Sequence, residues 1–178
     1  MKILPTVVDG VWIIEPQFNK DDRGLFGRVW DSEEFSANGL TMAFVQCNNS
    51  MSWHKGTLRG LHWQKEPFSE TKLVRCIQGC IYDVVADVRP HSPTFGKYIG
   101  VEITSSNRQW LYVPSGCAHG YLTLEDRSEV LYAVTAPYVN HAEAGIRWND
   151  PHFNIEWPVL DQIILSQKDQ SWPDFKIQ

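Results

Sequence analysis

The chain has 178 residues with 16 basic and 21 acidic side chains, net −5, and is long enough to bury a real core as one domain, residues 1–178. No basic run occurs, which sets nucleic acid aside as a partner but leaves room for a small phosphorylated ligand held by a few arginines. The opening MKILPTVVDGVWII carries Pro5 and Asp9 inside its apolar part and is not a signal peptide; no apolar run reaches membrane-spanning length, so neither membrane contact nor export is expected and the protein is placed in the cytoplasm.

In chain order, the stretch DSEEFSANG (31–39) predicts one short helix, with Ser32 as N-cap and Asn38-Gly39 as its stop. GTLRGLHWQ (56–64) is too short and too glycine-punctuated for a helix and reads as a strand. KLVRCI and CIYDVVADVR follow, joined at Gln78-Gly79 in a hairpin-like break. YIGVEI, QWLYVP and EVLYAVTAPY continue the series at similar spacing, and the tail LDQIILSQKDQSWP has room for another helical turn or two. Short runs rich in Val, Ile, Tyr and Trp between turn residues predict an all-β fold, an antiparallel double-sheet jelly roll with a few short helices. The four cysteines, Cys47, Cys76, Cys80 and Cys117, show no CxxC spacing and read as buried apolar thiols in a reducing compartment. Eight tryptophans fit a β-rich core or a cavity walled by flat rings.

The strand GTLRGLHWQ poses a question of chemistry, because Arg59 and His62 sit among Leu58, Leu61 and Trp63. Strict alternation puts Arg59 and His62 on opposite faces, and a bulge at Gly60 would bring them together. Taken alone, His62 reads as a satisfied core histidine, Tyr132 and Tyr138 as core aromatics, and Lys72 as a solvated charge heading a strand. Asp83 and Asp87 alternate along one strand and read as polar strand positions bonded to backbone, not as an acid–base pair.

A second stretch changes the weighting. PSGCAHG (114–120) has the Pro-x-Gly-x-x-His spacing of the second signature of the cupins, a superfamily of small β-barrels. Metal-binding cupins supply a His-x-His pair from the first signature, where this chain has His62-Trp63-Gln64. His62 and His119 alone make a thin ligand set, so no metal is expected. Together DDRGLFGRVW, QCN, GTLRGLHWQ, KLVRCIQG, SPTFGKY, PSGCAHGY, VLYAV, WNDPHFNIEWP and LSQKD resemble, in order and spacing from about residue 11 to 169, the dTDP-4-dehydrorhamnose 3,5-epimerase family.

That resemblance implies a cupin jelly roll, a homodimer with sites near the subunit interface, no cofactor, and a nucleoside-diphosphate-4-keto-6-deoxy sugar as substrate. Inverting a carbon beside the ketone takes a base on one face, an acid on the other and an enolate between. By resemblance His62 is the base, held in one tautomer by Asp169, Lys72 stabilises the enolate oxygen, and Tyr132 is the acid. Arg23 and Arg59 match diphosphate contacts, Gln46 and Asn48 nucleotide contacts, and Tyr138 the ring stacked on the base. His119, Glu143 and Lys168 match further ligand contacts, and Arg23 is expected to reach its site from the partner subunit.

Three departures stand out. Arg28 occupies the place of a family glutamate that accepts thymine N3–H; arginine has no acceptor, so a CDP-linked substrate is expected to be tolerated. Cys117 replaces a ring near the site, and Ala133 replaces a lysine after Tyr132; both alter the wall around the sugar and leave open whether C3, C5 or both invert. The rival readings are a 3,4-ketoisomerase on the same scaffold, a non-catalytic sugar-nucleotide binding module, and a metal-dependent cupin dioxygenase.

Overall fold

The computed structural model describes residues 1–40 and 43–176. In chain order its elements are β1 (Lys2–Pro5), β2 (Trp12–Glu15), β3 (Asn19–Asp21), β4 (Gly24–Phe26), α1 (Ser32–Ala37), β5 (Gln46–Ser52), β6 (Leu58–Gln64), β7 (Lys72–Gln78), β8 (Cys80–Asp87), β9 (Tyr98–Thr104), β10 (Trp110–Val113), β11 (Cys117–Thr123), β12 (Ser128–Val134), β13 (Glu143–Gly145) and α2 (Gln167–Ser171). Six strands form one antiparallel sheet in the order β1-β2-β10-β7-β12-β5, and five form a second in the order β13-β6-β11-β8-β9. The expected double-sheet jelly roll is what these strands build. No described helix is long and apolar enough to cross a membrane.

Alternation along the strands makes three apolar layers. Between the sheets lie Val74, Cys76, Ile81, Val85, Ile103, Leu111, Val113 and Val130, all at most 1% exposed. The outer face of the five-stranded sheet buries Leu61, Val84, Ala86 and Ala118 under Ile146, Phe153 and Ile155. The outer face of the other sheet buries Ile14, Leu73, Trp110 and Tyr112 under Phe35 of α1 and Leu40. β8 is therefore covered on both faces, which is why its sequence is almost continuously apolar. Period two also sorts the polar residues: Lys72, Asp83 and Tyr132 share their faces with Val74, Val85 and Val130 and so turn into the space between the sheets.

Two local expectations are corrected. The segment 78–79 is not a hairpin: β7 pairs with β10 and β12, whereas β8 pairs with β11 and β9, so the chain changes sheets there. Gly79, at φ +76°, turns that corner, and a Cβ would stand 2.6 Å from Ser128 Oγ. A glycine break between two apolar runs signals a sharp turn, but not which sheet the second run joins. The N-cap of α1 is Asp31, not Ser32; its carboxylate accepts from the amides of Glu33 and Glu34, both at 3.0 Å. Asn38 and Gly39 end the helix as expected, with Gly39 at φ +73°. Cys76, Cys80 and Cys117 are buried free thiols, but Cys47 is exposed on the edge strand β5.

Candidate active site

The bulge expected at Gly60 is present. β6 runs opposite β11 with His62 facing His119 and Arg59 facing Tyr121, so three steps on β6 match two on β11. Gly60 has φ +111°, and a Cβ there would stand 2.6 Å from Gly120 Cα and 2.7 Å from the His119 carbonyl oxygen. The two strands approach closely because both residues are glycine. The extra residue turns Arg59 and His62 into the same cavity.

That cavity, about 540 Å³, lies between the sheets and is lined by Arg59, His62, Lys72, His119, Tyr121, Tyr132 and Asp169, with Ser50 and Ser166 among the others. A smaller one of about 150 Å³ shares His62, Lys72 and Tyr132 and continues past Gln46, Asn48, Gln64, Glu70, Tyr138 and Glu143. Three strands and a helix thus bring His62, Lys72, Tyr132 and Asp169, the four residues expected to be catalytic, to one place.

His62 Nε2 lies 2.5 Å from Asp169 Oδ1. Asp169 is on α2, whose N-cap Ser166 accepts from the Asp169 amide at 3.0 Å. Burial works to raise the Asp169 carboxyl, but hydrogen bonding and charge from His62, with further bonds from Ser166 and Gly60, hold it below the ordinary 3.8. An ionised carboxylate only accepts, so Nε2 is the donor to Asp169, while Nδ1 lies 3.9 Å from Glu143 Oε1. Trp172 packs in a T-shaped contact with the His62 ring, centroids 5.8 Å apart. The Tyr132 phenol is raised, first by burial and then by the charge of Glu70, against a lowering by Arg59. Lys72 Nζ is 3.2 Å from Glu70 Oε1 and donates to the His62 carbonyl at 3.4 Å.

His119 is 8% exposed, and its Nε2 lies 2.6 Å from Asp83 Oδ1. Asp83 is thus bonded to a side chain rather than to backbone, which corrects the reading of it as an ordinary strand polar residue. Asp87 accepts from the Arg89 amide at 3.1 Å, but also from the Arg89 guanidinium, Ser92 and Thr94. Sequence reasoning missed the His119–Asp83 pair because the two residues are joined only by the β8–β11 pairing; the inward face shared by Ile81, Asp83 and Val85 was the available signal.

The remaining expected ligand contacts divide in two. Arg59 donates to Ser52 Oγ at 3.2 Å and lines the larger cavity. Gln46 accepts from the Tyr138 amide at 3.0 Å, and Asn48 lies opposite Tyr132 in the β5–β12 pairing. The Tyr138 hydroxyl donates to Glu143 at 2.7 Å, and Glu143 also pairs with Lys168. Burial opposes ionisation of Glu143, but Lys168, Tyr138 and His62 together keep its carboxyl below the ordinary value. Arg23 and Arg28 stand apart: both are on or beside the β3–β4 ribbon, paired with Asp21 and Asp31, and neither lines either cavity. Gln64, at the place of a cupin metal ligand, is 4% exposed and spends its amide on Glu70, Phe68, Pro137 and Val139. Among the described residues no three His, Cys, Asp or Glu side chains are grouped to share a metal ion.

Comparison with known proteins decides the family. The model of the dTDP-4-dehydrorhamnose 3,5-epimerase family matches residues 5–176. The chain belongs to the dTDP-4-dehydrorhamnose 3,5-epimerase family. A family member from Sinorhizobium fredii is 44% identical over 163 residues, 92% of this chain and 84% of its own. The crystal structure of the enzyme from Elizabethkingia anophelis superposes with a TM-score of 0.95 at 38% identity, covering 98% of this chain and 96% of that one. The Legionella pneumophila enzyme, solved in complex with dTDP-4-keto-L-rhamnose, gives 0.90 at 37% identity, covering 96% and 90%. This family member is therefore an isomerase of the nucleotide-sugar epimerase class.

Proposed function

We propose that this epimerase inverts C3 and C5 of a dTDP-linked 4-keto-6-deoxyhexose, without a cofactor, in a homodimer in the cytoplasm. The observation that carries the reading is a base, His62, oriented by Asp169 and sharing one cavity with Lys72 and Tyr132. His62 Nδ1 takes the acidic proton beside the ketone, and the C–H electron pair moves into an enolate. Lys72 stabilises the oxygen at C4, where charge develops. Tyr132 returns a proton to the opposite face, which inverts the centre, and solvent exchange resets both side chains. Repetition at the other α-carbon gives the double inversion.

Arg59 binds the diphosphate, Tyr138 stacks on the base, and Gln46, Asn48, His119, Glu143 and Lys168 complete the ligand shell. Thymine is the base proposed, because the relatives are named for dTDP sugars. Within one protomer Arg28 is paired with Asp31 at 2.9 Å, an arrangement in which it does not present its donors to thymine. The free buried thiols fit a reducing compartment.

The test is incubation with a dTDP-4-keto-6-deoxyhexose in D₂O, followed by NMR. Deuterium at C3 and C5 with both centres inverted is expected. Deuterium and inversion at C3 alone would make this a monoepimerase, and no exchange at either carbon would sink the reading.

A further inference from the structure

The proposed enolate stabiliser is a lysine, and a lysine side chain alone is a poorly fixed charge. Four rotatable bonds let the ammonium wander between the sugar and the diphosphate, and a charge that must reorganise during the reaction stabilises the transition state far less than one already in place. Something must hold Lys72. Its Nζ has two partners: the His62 carbonyl oxygen at 3.4 Å, a long contact, and Glu70 Oε1 at 3.2 Å. The Glu70 side chain is 7% exposed and that of Lys72 12%, so this ion pair is largely buried at the cavity wall.

Glu70 is itself held. Its second oxygen, Oε2, accepts from Gln64 Nε2 at 2.6 Å, and Gln64 sits two residues from His62 on the same strand. The carbonyls of Phe68 and Pro137, at 3.0 and 3.1 Å from the same Nε2, share its second N–H, and the Gln64 side-chain oxygen accepts from the Val139 amide at 2.6 Å. One buried amide therefore ties the base-bearing strand, the segment leading into β7 and the segment carrying Tyr138 to a single carboxylate. That carboxylate divides its oxygens between the amide and the ammonium.

From this arrangement we propose that Glu70 is a positioning residue, the buried counter-ion that fixes the Lys72 ammonium where the two cavities meet, with Gln64 as its anchor. The proposal rests on the epimerase reading above. Glu70 acts through Lys72 rather than on the substrate, so its removal lowers turnover more than it weakens substrate binding.

A double-mutant cycle tests this on the full chain, with deuterium incorporation at the substrate α-carbons as the rate. Glu70→Gln is expected to lower kcat between about 10- and 100-fold, as a misplaced catalytic group does, with KM changed less than about twofold. Glu70→Asp, which keeps the charge on a shorter arm, should recover part of the loss. In a Lys72→Met background, Glu70→Gln should cost nothing further, because the group it positions is gone. Equal cost in both backgrounds overturns the proposal, as does a rise in KM alone, which would make Glu70 a substrate contact. Loss of thermal stability with normal kcat in the folded fraction also overturns it. If the wild type itself exchanges no α-proton, the epimerase reading fails first; an active wild type with an additive cycle removes only the role of Glu70.

Discussion

At the scale of single residues, chemistry divides between a group that removes a proton and one that returns it. In the proposed reaction His62 is the base, and Asp169, 2.5 Å from its Nε2, orients the ring. His62→Ala should lower α-proton exchange by about 10²–10⁴-fold while the fold persists, because the side chain faces a cavity. Asp169→Asn keeps the shape but no longer demands a proton on Nε2, and a similar loss is expected; exchange at the wild-type rate in either folded variant removes the assigned role. Tyr132→Phe should separate the two half-reactions, with deuterium washed out of labelled substrate but no net inversion. Burial holds the phenol above its usual 10, so it remains a proton donor well into alkaline solution. Normal inversion in this variant would place the donor elsewhere. Arg28 gives a fourth check: with its guanidinium on Asp31 it is not expected to read the base, so dTDP should outcompete CDP in wild type and Arg28→Glu alike. A wild-type preference for CDP, or a ratio that moves with the substitution, would show that Arg28 contacts the nucleotide.

The element that makes the site is the bulged strand β6. Without the extra residue at Gly60, Arg59 and His62 would face opposite ways. Gly60→Ala places a Cβ against the backbone of β11 at 2.6 Å and forces an alanine to φ +111°. The cost should be at least about 1–3 kcal/mol, read as a lower denaturation midpoint, with activity falling further than the folded fraction because Arg59 and His62 lose register. A protein of unchanged stability and activity would show that the bulge is not needed. This device was legible in the sequence, since alternation exposed the conflict and the glycine offered the solution. The jelly roll was legible in the succession of short Val-, Ile-, Tyr- and Trp-rich runs separated by turn residues. What escaped notice depends on pairings distant along the chain. Asp83 meets His119 only through the β8–β11 register, and the inward alternation in CIYDVVADVR, which Asp83 and Asp87 share, does not say which of the two aspartates meets the histidine. The 78–79 corner escaped for a related reason: both flanking strands are apolar on the inward face, whichever sheet they join. The roles of His62, Lys72 and Tyr132 came from resemblance to a family, because each residue alone is chemically ordinary.

Across the whole molecule, two buried carboxylates tie loops to the barrel and set its response to acid. Burial pushes Asp87 up, but Arg89, Ser92 and Thr94 outweigh it, and its carboxyl, like that of Asp169, is held below 3.8. A carboxyl lowered by folding stabilises the native state above its unfolded value, about 3.9, and loses that contribution as pH falls through the folded value. Thermal stability should therefore hold from neutrality to about pH 4.5 and decline below, less steeply in Asp87→Asn; a melting temperature flat down to pH 2 would contradict this. Assembly is the larger question, because Arg23 is 89% exposed at its side chain and lines neither cavity of its own chain. If the proposed homodimer places it on the partner's diphosphate, Arg23→Ala should raise KM roughly tenfold or more, as loss of a charged hydrogen bond does. Mixing decides whose site it serves. A dimer of one Arg23→Ala chain and one His62→Ala chain keeps a single intact site, pairing His62 of the first with Arg23 of the second. Random reassortment of inactive His62→Ala with impaired Arg23→Ala should then restore about a quarter of wild-type activity at low substrate. If Arg23 serves its own protomer, no intact site forms in any combination, and the mixture will show only the dilution of the Arg23→Ala enzyme.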